Sequence, residues 1–342
     1  MTMPAAAVRP VRLRFGQTVY DCRPGESVLK ALLRQGVEVP YSCGKGACFT
    51  CLLRCVGGSP GAKAQEELKE TLRLQGYFLA CQCVPEADLE IARADDAELF
   101  VPTEVASLRD LSCDVRQVML RPFGPFEYHP GQFINLRGPA GLVRSYSLAS
   151  LPESDGMIEL HVRRYDNGAM SGWIFDGLAR GQRIDIQGPN GSCFYVPGNP
   201  AQPLLLIGTG TGLAPLLGIA RDALFRNHGG PIRLYHGSRT RGGLYMDEPL
   251  KALAAAQANF TYVACASRDE SDEEDGGLRR GRADDVAFAD LPSLAGWRVF
   301  LCGYPPMVAE AKKRAYLAGA RLQDILADPF ELRDLRRQPR DS

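Results

Sequence analysis

The sequence predicts a multidomain protein of mixed α+β and α/β class, with three successive domains over residues 1–98, 99–200 and 201–342. Three patterns carry this prediction. A short strand-and-helix region encloses a dense set of cysteines. A middle region reads as many short strands separated by turn signals, as in a small antiparallel β-barrel. The remainder alternates strands with helices, as in a doubly wound parallel α/β sheet. A chain of 342 residues has room for two or three domains that each bury a core.

Composition narrows the function classes. The chain is 45% hydrophobic and 23% charged, as in soluble globular proteins, and its formal net charge is zero. Zero net charge supplies no global basic field for nucleic acid. Met1–Pro10 lacks the apolar stretch of a signal peptide, which predicts a cytoplasmic protein. Ala201–Ala220 is uncharged and long enough to span a bilayer. Pro203, Gly208, Gly210, Gly212, Pro215 and Gly218 interrupt it, so it reads as a buried strand, a glycine turn and a helix start, with no membrane span. Eleven cysteines without an export signal favour metal binding over disulfides. Cys22, Cys55, Cys113, Cys193 and Cys265 read as plain buried thiols, as does Cys83.

In the first domain, Val11, Leu13 and Phe15 alternate with Arg12 and Arg14, the pattern of a half-buried strand. Arg23-Pro24-Gly25 is a turn. Glu26 or Ser27 then opens a helix with Val28, Leu29, Leu32 and Leu33 on its apolar side and Gly36 just past its end. Further elements are expected as a strand at Leu52–Val56, a polar helix near Gln65–Arg73 and a strand at Leu89–Ala92. Cys43, Cys48 and Cys51 are spaced C-x4-C-x2-C, and Cys81 follows. That is the spacing of a plant-type [2Fe–2S] site, whose soft thiolates suit iron–sulfur centres. Zinc is the competing reading, but zinc ribbons favour paired C-x2-C, and here Cys48 and Cys51 are the one such pair. Gly44 and Gly46 let backbone N–H groups turn towards the cluster sulfurs. Residues 8–94 resemble the β-grasp fold of plant-type ferredoxins. One departure is Phe49, where that family has a small residue; it reads as a surface difference that touches the acceptor.

A linker containing Asp95, Asp96 and Glu98 leads to strands expected at Glu104–Leu108, Asp114–Leu120, Gln132–Leu136, Ile158–Arg163 and Arg183–Gln187. Arg144-Ser145-Tyr146-Ser147 resembles the R-x-Y-S motif of the ferredoxin–NADP reductase superfamily. The resemblance implies that Tyr146 packs on the flavin ring of FAD, that Ser147 hydrogen-bonds near it, and that Arg144 meets the pyrophosphate. An aromatic plane suits a ring, and a guanidinium fork suits phosphate. It also implies that the backbone of His161-Val162-Arg163 faces the flavin, and that Gly168, Met170 and Ser171 open a helix whose N–H groups hold phosphate.

In the third domain the all-apolar run Leu204–Ile207 precedes Gly208-Thr209-Gly210-Thr211-Gly212-Leu213-Ala214-Pro215 and a helix to about Phe225. Strands are expected at Ile232–His236, Phe260–Cys265 and Val299–Cys302, and helices at Glu248–Gln257 and Pro306–Ala318. The glycine run is similar to the reductase superfamily's dinucleotide loop, with Gly208, Thr209, Gly210, Thr211, Gly212 and Pro215 as cofactor-binding positions. Cys302-Gly303-Tyr304-Pro305-Pro306-Met307 resembles the family's C-G-x-P-x-M segment. Cys302 would then lie beside the nicotinamide, with Gly303, Pro305 and Met307 supporting it. Phe330 resembles the near-terminal aromatic that covers the flavin. Ser267 and Arg268 resemble a 2′-phosphate site, with Arg279 or Arg280 adding charge. The acidic run from Asp269 to Asp275 reads as a solvated loop, and the arginine-bearing 331–342 tail as a solvated end. The family implies NADH, with NADPH tolerated.

The order of the three regions resembles single-chain reductase components of bacterial multicomponent oxygenases. The resemblance implies catalysis at Cys302, Tyr146 and Ser147, cofactors FAD, NAD(P)H and a [2Fe–2S] cluster, and a protein electron acceptor, an oxygenase or hydroxylase component. Two alternatives stay open: the same redox chain serving a deoxysugar dehydratase or a P450, and a cluster-bearing redox sensor without turnover.

Overall fold

The computed structural model describes residues 10–94, 99–268 and 277–330. The Asp95–Glu98 linker, the Asp269–Asp275 acidic run and the tail from Glu331 lie outside the described residues. Contacts divide the chain into two compact units. One comprises Met1–Phe100, Pro139–Arg144 and Leu332–Ser342; the other comprises Val101–Gly138 and Ser145–Glu331.

The N-terminal unit is a mixed five-stranded sheet of order β2-β1-β5-β3-β4. Its strands are β1 (Val11–Phe15), β2 (Thr18–Cys22), β3 (Leu52–Gly57), β4 (Tyr77–Leu79) and β5 (Leu89–Arg93). β1 pairs parallel with β5, and the other pairings are antiparallel. Helix α1 (Val28–Arg34) buries Val28, Leu29, Ala31 and Leu32. Ser27 is its N-cap and accepts from Lys30 N at 3.4 Å, a contact type worth about 1 kcal/mol. The helix expected over Gln65–Arg73 is instead a turn followed by α2 (Glu70–Leu74). Gln65 is diverted because its Nε2 donates to the Tyr77 carbonyl of β4 at 2.8 Å.

The second unit holds two sheets. The first is antiparallel, of order β10-β7-β6-β11-β8-β9. Its strands are β6 (Val101–Asp110), β7 (Val115–Pro122), β8 (Phe133–Arg137), β9 (Val143–Ser147), β10 (Ile158–Arg163) and β11 (Arg183–Asn190). An isolated bridge between Leu148 and Leu160 joins the two edges just past β9. Helices α3 (Pro152–Asp155) and α4 (Ala169–Asp176) flank β10 in the chain.

The second sheet has order β15-β14-β13-β12-β16-β17, parallel throughout. It comprises β12 (Leu204–Thr209), β13 (Ile232–Ser238), β14 (Phe260–Ala266), β15 (Leu278–Arg280), β16 (Arg298–Gly303) and β17 (Ile325–Pro329). Helices α5 (Leu213–Phe225), α6 (Asp247–Ala256), α7 (Ala283–Asp290) and α8 (Pro305–Leu317) separate the strands. Strand order reverses between β12 and β16, and such a switch point opens a crevice at the carboxyl ends of the strands. The uncharged Ala201–Ala220 stretch is accounted for by buried β12 and the start of α5. No helix among the described residues is long and apolar enough to cross a membrane.

None of the eleven cysteines is in a disulfide. The expectation of plain buried thiols fails at Cys113, which is exposed, and in part at Cys55, which is half-buried. Ser112 Oγ accepts from Asp114 N and Val115 N at 3.4 and 3.1 Å, closing a tight turn between β6 and β7 with Cys113 at its tip.

Candidate redox site

In the N-terminal unit the loop between α1 and β3 carries Cys43, Cys48 and Cys51, and Cys81 follows β4. No three described His, Cys, Asp or Glu side chains converge as a single-ion site. The four thiols instead form two hydrogen-bonded pairs, Cys43 with Cys48 and Cys51 with Cys81. In each pair one thiol is depressed and its partner raised. The Cys48 thiol and the N–H groups of Lys45, Cys48 and Ala47 hold Cys43 well below the usual thiol range, against its burial. The Cys51 thiol does the same for Cys81, aided by Gln82.

Two thiol pairs suit a binuclear centre better than one ion. The surroundings also fit a negatively charged cluster. Lys45 N lies 3.3 Å from Cys43 Sγ, and Cys43 N lies 3.3 Å from Cys48 Sγ. Thr50 Oγ1 is 3.0 Å from Cys48 Sγ, and Gln82 Nε2 is 3.6 Å from Cys81 Sγ. Gly46 makes this packing possible: its φ is +89°, and a Cβ there would lie 2.9 Å from Gln82 Cγ. Phe49 is half-buried and packs against the unit's core, with a left-handed φ of 58°. Its ring is therefore in part a packing group, beyond the surface role read from sequence.

In the second unit β9 alternates. Ser145 Oγ donates to Asn135 Oδ1 at 2.7 Å, and Ser147 Oγ lies 3.3 Å from Asp328 Oδ2. Arg144, which falls in the N-terminal unit, and Tyr146 occupy the alternate positions and are each partly accessible. The Arg144 guanidinium donates to the Val143 carbonyl at 2.7 Å. Val162 is fully buried, and Arg163 is anchored by Asp114 with its Nη2 2.6 Å from Oδ2. Gly168 is the N-cap of α4, with Met170 and Ser171 buried in its first turn. The Ser171 hydroxyl closes that turn, accepting from Tyr165 N at 3.1 Å.

The glycine turn is locked against the end of β16. A Cβ on Gly212 would lie 2.5 Å from the Cys302 carbonyl, and one on Gly303 2.6 Å from the Thr209 carbonyl. Gly303 has φ +111°, and its conformation is held by Tyr304 N donating to Thr209 Oγ1 at 3.0 Å and Phe330 N donating to Gly303 O at 2.7 Å. Gly210 has φ +55°, and a Cβ there would lie 2.7 Å from Arg163 Nη1. Gly208 packs against Leu216, and Thr211 is buried in the turn. Pro215 lies within α5, and Pro305 opens α8. Met307 points into the core of the parallel sheet, so its side chain serves packing. Cys302 is fully buried with its Sγ 3.8 Å from Cys193 Sγ, and burial raises its thiol pKa far above the ordinary value.

Ser267 N and Arg268 N donate to the carbonyls of Ser238 and Arg239 at 3.1 and 2.7 Å. These bonds align the loops after β13 and β14 and set half-buried Ser238 and exposed Ser267 beside two arginines. Arg279 is committed elsewhere, to Asp290 at 3.1 Å.

Asp328 was not singled out from sequence. It lies opposite Cys302 in the β16–β17 register, and burial lifts its carboxyl to about 7, with the Ser147 hydrogen bond pulling it down. The signal in sequence was only its place before Pro329 and Phe330. The Glu159–His161 pair on β10 carries no motif in the sequence, where the resemblance implicates only the backbone of His161.

This arrangement defines an iron–sulfur flavoprotein oxidoreductase that uses a pyridine nucleotide. Residues 14–86 match the 2Fe-2S iron-sulfur cluster binding domain family, 102–195 the oxidoreductase FAD-binding domain family, and 206–313 the oxidoreductase NAD-binding domain family. The reductase subunit of an aromatic O-demethylase from Amycolatopsis sp. is 39% identical over 309 residues, covering 86% of this chain and 91% of that protein. The ferredoxin–NAD(P)(+) reductase component of the naphthalene 1,2-dioxygenase system of Pseudomonas putida is 35% identical, covering 90% of this chain and 94% of that protein. Among solved structures, the Amycolatopsis cytochrome P450 reductase GcoB aligns with a TM-score of 0.66 at 36% identity, covering 94% of this chain and 98% of that one. The chain belongs to the family of single-chain reductase components that join a [2Fe–2S] domain to FAD- and NAD-binding domains.

Proposed function

We propose that the protein passes electrons from NAD(P)H through FAD and a [2Fe–2S] cluster to a partner oxygenase or hydroxylase component. One observation carries the reading: Ser147 of the flavin motif and Asp328 opposite Cys302 are hydrogen-bonded at 3.3 Å, so the flavin-side and nicotinamide-side motifs meet at one point. When bound, the cofactors supply the chemistry, taking up a hydride and releasing electrons singly. The chain's residues bind and orient them. Cys43, Cys48, Cys51 and Cys81 hold the cluster. Tyr146 and Arg144 hold FAD, and the first turn of α4 holds its phosphates through backbone N–H groups. Gly208–Gly212 admits the dinucleotide phosphates at the start of α5. Buried Cys302 and Ser147 would exclude water from the bound cofactors, and Asp328 accepts from the Ser147 hydroxyl. Phe330, fixed to Gly303 through its backbone, is the aromatic that would shield the bound flavin. The N-terminal sheet is read as a β-grasp, and the antiparallel sheet, whose edges meet at Leu148 and Leu160, as a barrel.

A cytochrome P450 acceptor is a second reading, favoured by the likeness to the Amycolatopsis cytochrome P450 reductase GcoB. The test is purification with iron and flavin content, followed by NADH and NADPH titrations against cytochrome c. Stoichiometric flavin and two irons per chain with NAD(P)H-dependent turnover support the reading. Cofactors without turnover would leave a redox sensor instead.

A further inference from the structure

Glu159 and His161 sit two apart on β10, on one face of the strand, and both are buried. On their own sheet, Gln117 of the paired strand β7 donates to Glu159. His161 Nε2 lies 2.9 Å from Glu159 Oε1. Two further partners come from the nicotinamide-binding half. Arg221 of α5 places Nη1 2.9 Å from Glu159 Oε2 and 3.2 Å from the Ala149 carbonyl. Tyr245, just before α6, places its hydroxyl 3.1 Å from His161 Nδ1.

Glu159 accepts, so His161 Nε2 donates to it, and Nδ1 is left facing the Tyr245 hydroxyl. Burial opposes ionisation of Glu159, yet His161, Arg221 and Gln117 together hold it charged, at about 2. Tyr245 also meets the His161 ring edge-on at 5.4 Å and the His236 ring at 5.6 Å. His236 is fully buried, and burial keeps it neutral by lowering it to about 4; its Nε2 lies 3.3 Å from the Gly210 carbonyl of the dinucleotide turn. One dyad on the flavin-side strand is thus tied to two separate nicotinamide-side segments, and through Tyr245 and His236 to the glycine turn.

We propose that Glu159 and His161 form a buried polar latch between the two halves, and that Arg221 and Tyr245 are positioning residues that set the glycine turn against the flavin for hydride transfer. The physical basis is the cost of an uncompensated buried charge. If the halves separate or slip, Glu159 loses its guanidinium and His161 its hydroxyl, and a partly satisfied buried network is worse than none. One docked register is therefore favoured. Hydride transfer needs that register, because a misplacement of about 1 Å costs on the order of a hundredfold in rate.

The inference rests on the electron-transfer reading. The test compares full-length protein with Tyr245→Phe, Arg221→Met, the double variant and Arg221→Lys. Stopped-flow absorbance follows flavin reduction at saturating NADH, and hydrogen exchange follows peptides spanning 158–164 and 205–215. Each of the first two variants should lower the limiting rate by about 5- to 20-fold with little change in KM or flavin content. Both peptides should exchange faster while those of residues 10–94 do not. The double variant should fall no more than about twofold below the slower single variant, because both break one device. Arg221→Lys, which keeps the charge beside Glu159, should recover most of the rate. Unchanged rates, multiplicative losses in the double variant, or faster exchange throughout the chain would overturn the latch. A wild-type protein that fails to oxidise NADH or NADPH would overturn the electron-transfer reading itself, so the two failures are distinguishable.

Discussion

The Ser147 hydroxyl and the Asp328 carboxylate are 3.3 Å apart although 181 residues separate them in the chain. Asp328 is half-buried, and desolvation lifts its carboxyl from 3.8 to about 7. A raised folded-state pKa means that its contribution to stability is fully present below about pH 4 and is lost as pH rises through about 7. Asp328→Asn keeps the shape and removes the titration. The thermal midpoint of the variant should therefore gain on wild type between pH 4 and 7 and run parallel to it above. A constant difference across that range would show that Asp328 does not titrate there.

Cys48→Ser removes one member of a thiol pair and leaves the second unit untouched. NAD(P)H-driven cytochrome c reduction should fall by at least about a hundredfold, while NAD(P)H-to-ferricyanide activity at the flavin should stay within about twofold. Iron analysis should show the cluster lost and flavin retained. Equal loss of both activities would contradict the division of labour between the units.

Gly212→Ala places a methyl group 2.5 Å from the Cys302 carbonyl, where backbone must shift. Overpacking of this kind costs about 1–3 kcal/mol. The expected result is a KM for NADH raised at least about tenfold with FAD content unchanged, measured by ferricyanide reduction. Normal NADH kinetics would show that the turn and β16 are not rigidly coupled.

Arg268→Ala tests the aligned loops after β13 and β14. The KM for NADPH should rise by about tenfold, and that for NADH by less than about twofold, since one guanidinium–phosphate contact is lost. Equal effects on both would remove Ser267 and Arg268 from 2′-phosphate recognition.

Local chemistry made much of this protein legible in its sequence. β1 falls where alternation placed it, because a two-residue period depends only on which face is buried, and β10 falls where its strand-like run stood. α5 ends at Phe225 as expected, and Ser27 caps α1. The cysteine spacing, the R-x-Y-S stretch and the glycine run were visible because each gathers its chemistry within a few residues. Short segments without a strong period were not: β4, β15 and β17 owe their pairing to distant strands, and the Gln65–Arg73 helix gave way to a side-chain bond to β4.

Sequence by itself determined the domain order, the cofactor classes and the four candidate cluster thiols. Tertiary structure alone decided which thiols pair, that Cys113 is exposed, and that Asp328 meets Ser147. It also decided that Glu159 and His161 of the flavin side are satisfied by Arg221 and Tyr245 of the nicotinamide side. The reason is physical: apart from the Cys43–Cys48 pair, these contacts join residues 30 to 181 positions apart, and a hydrogen bond between distant residues leaves no period or spacing in the chain.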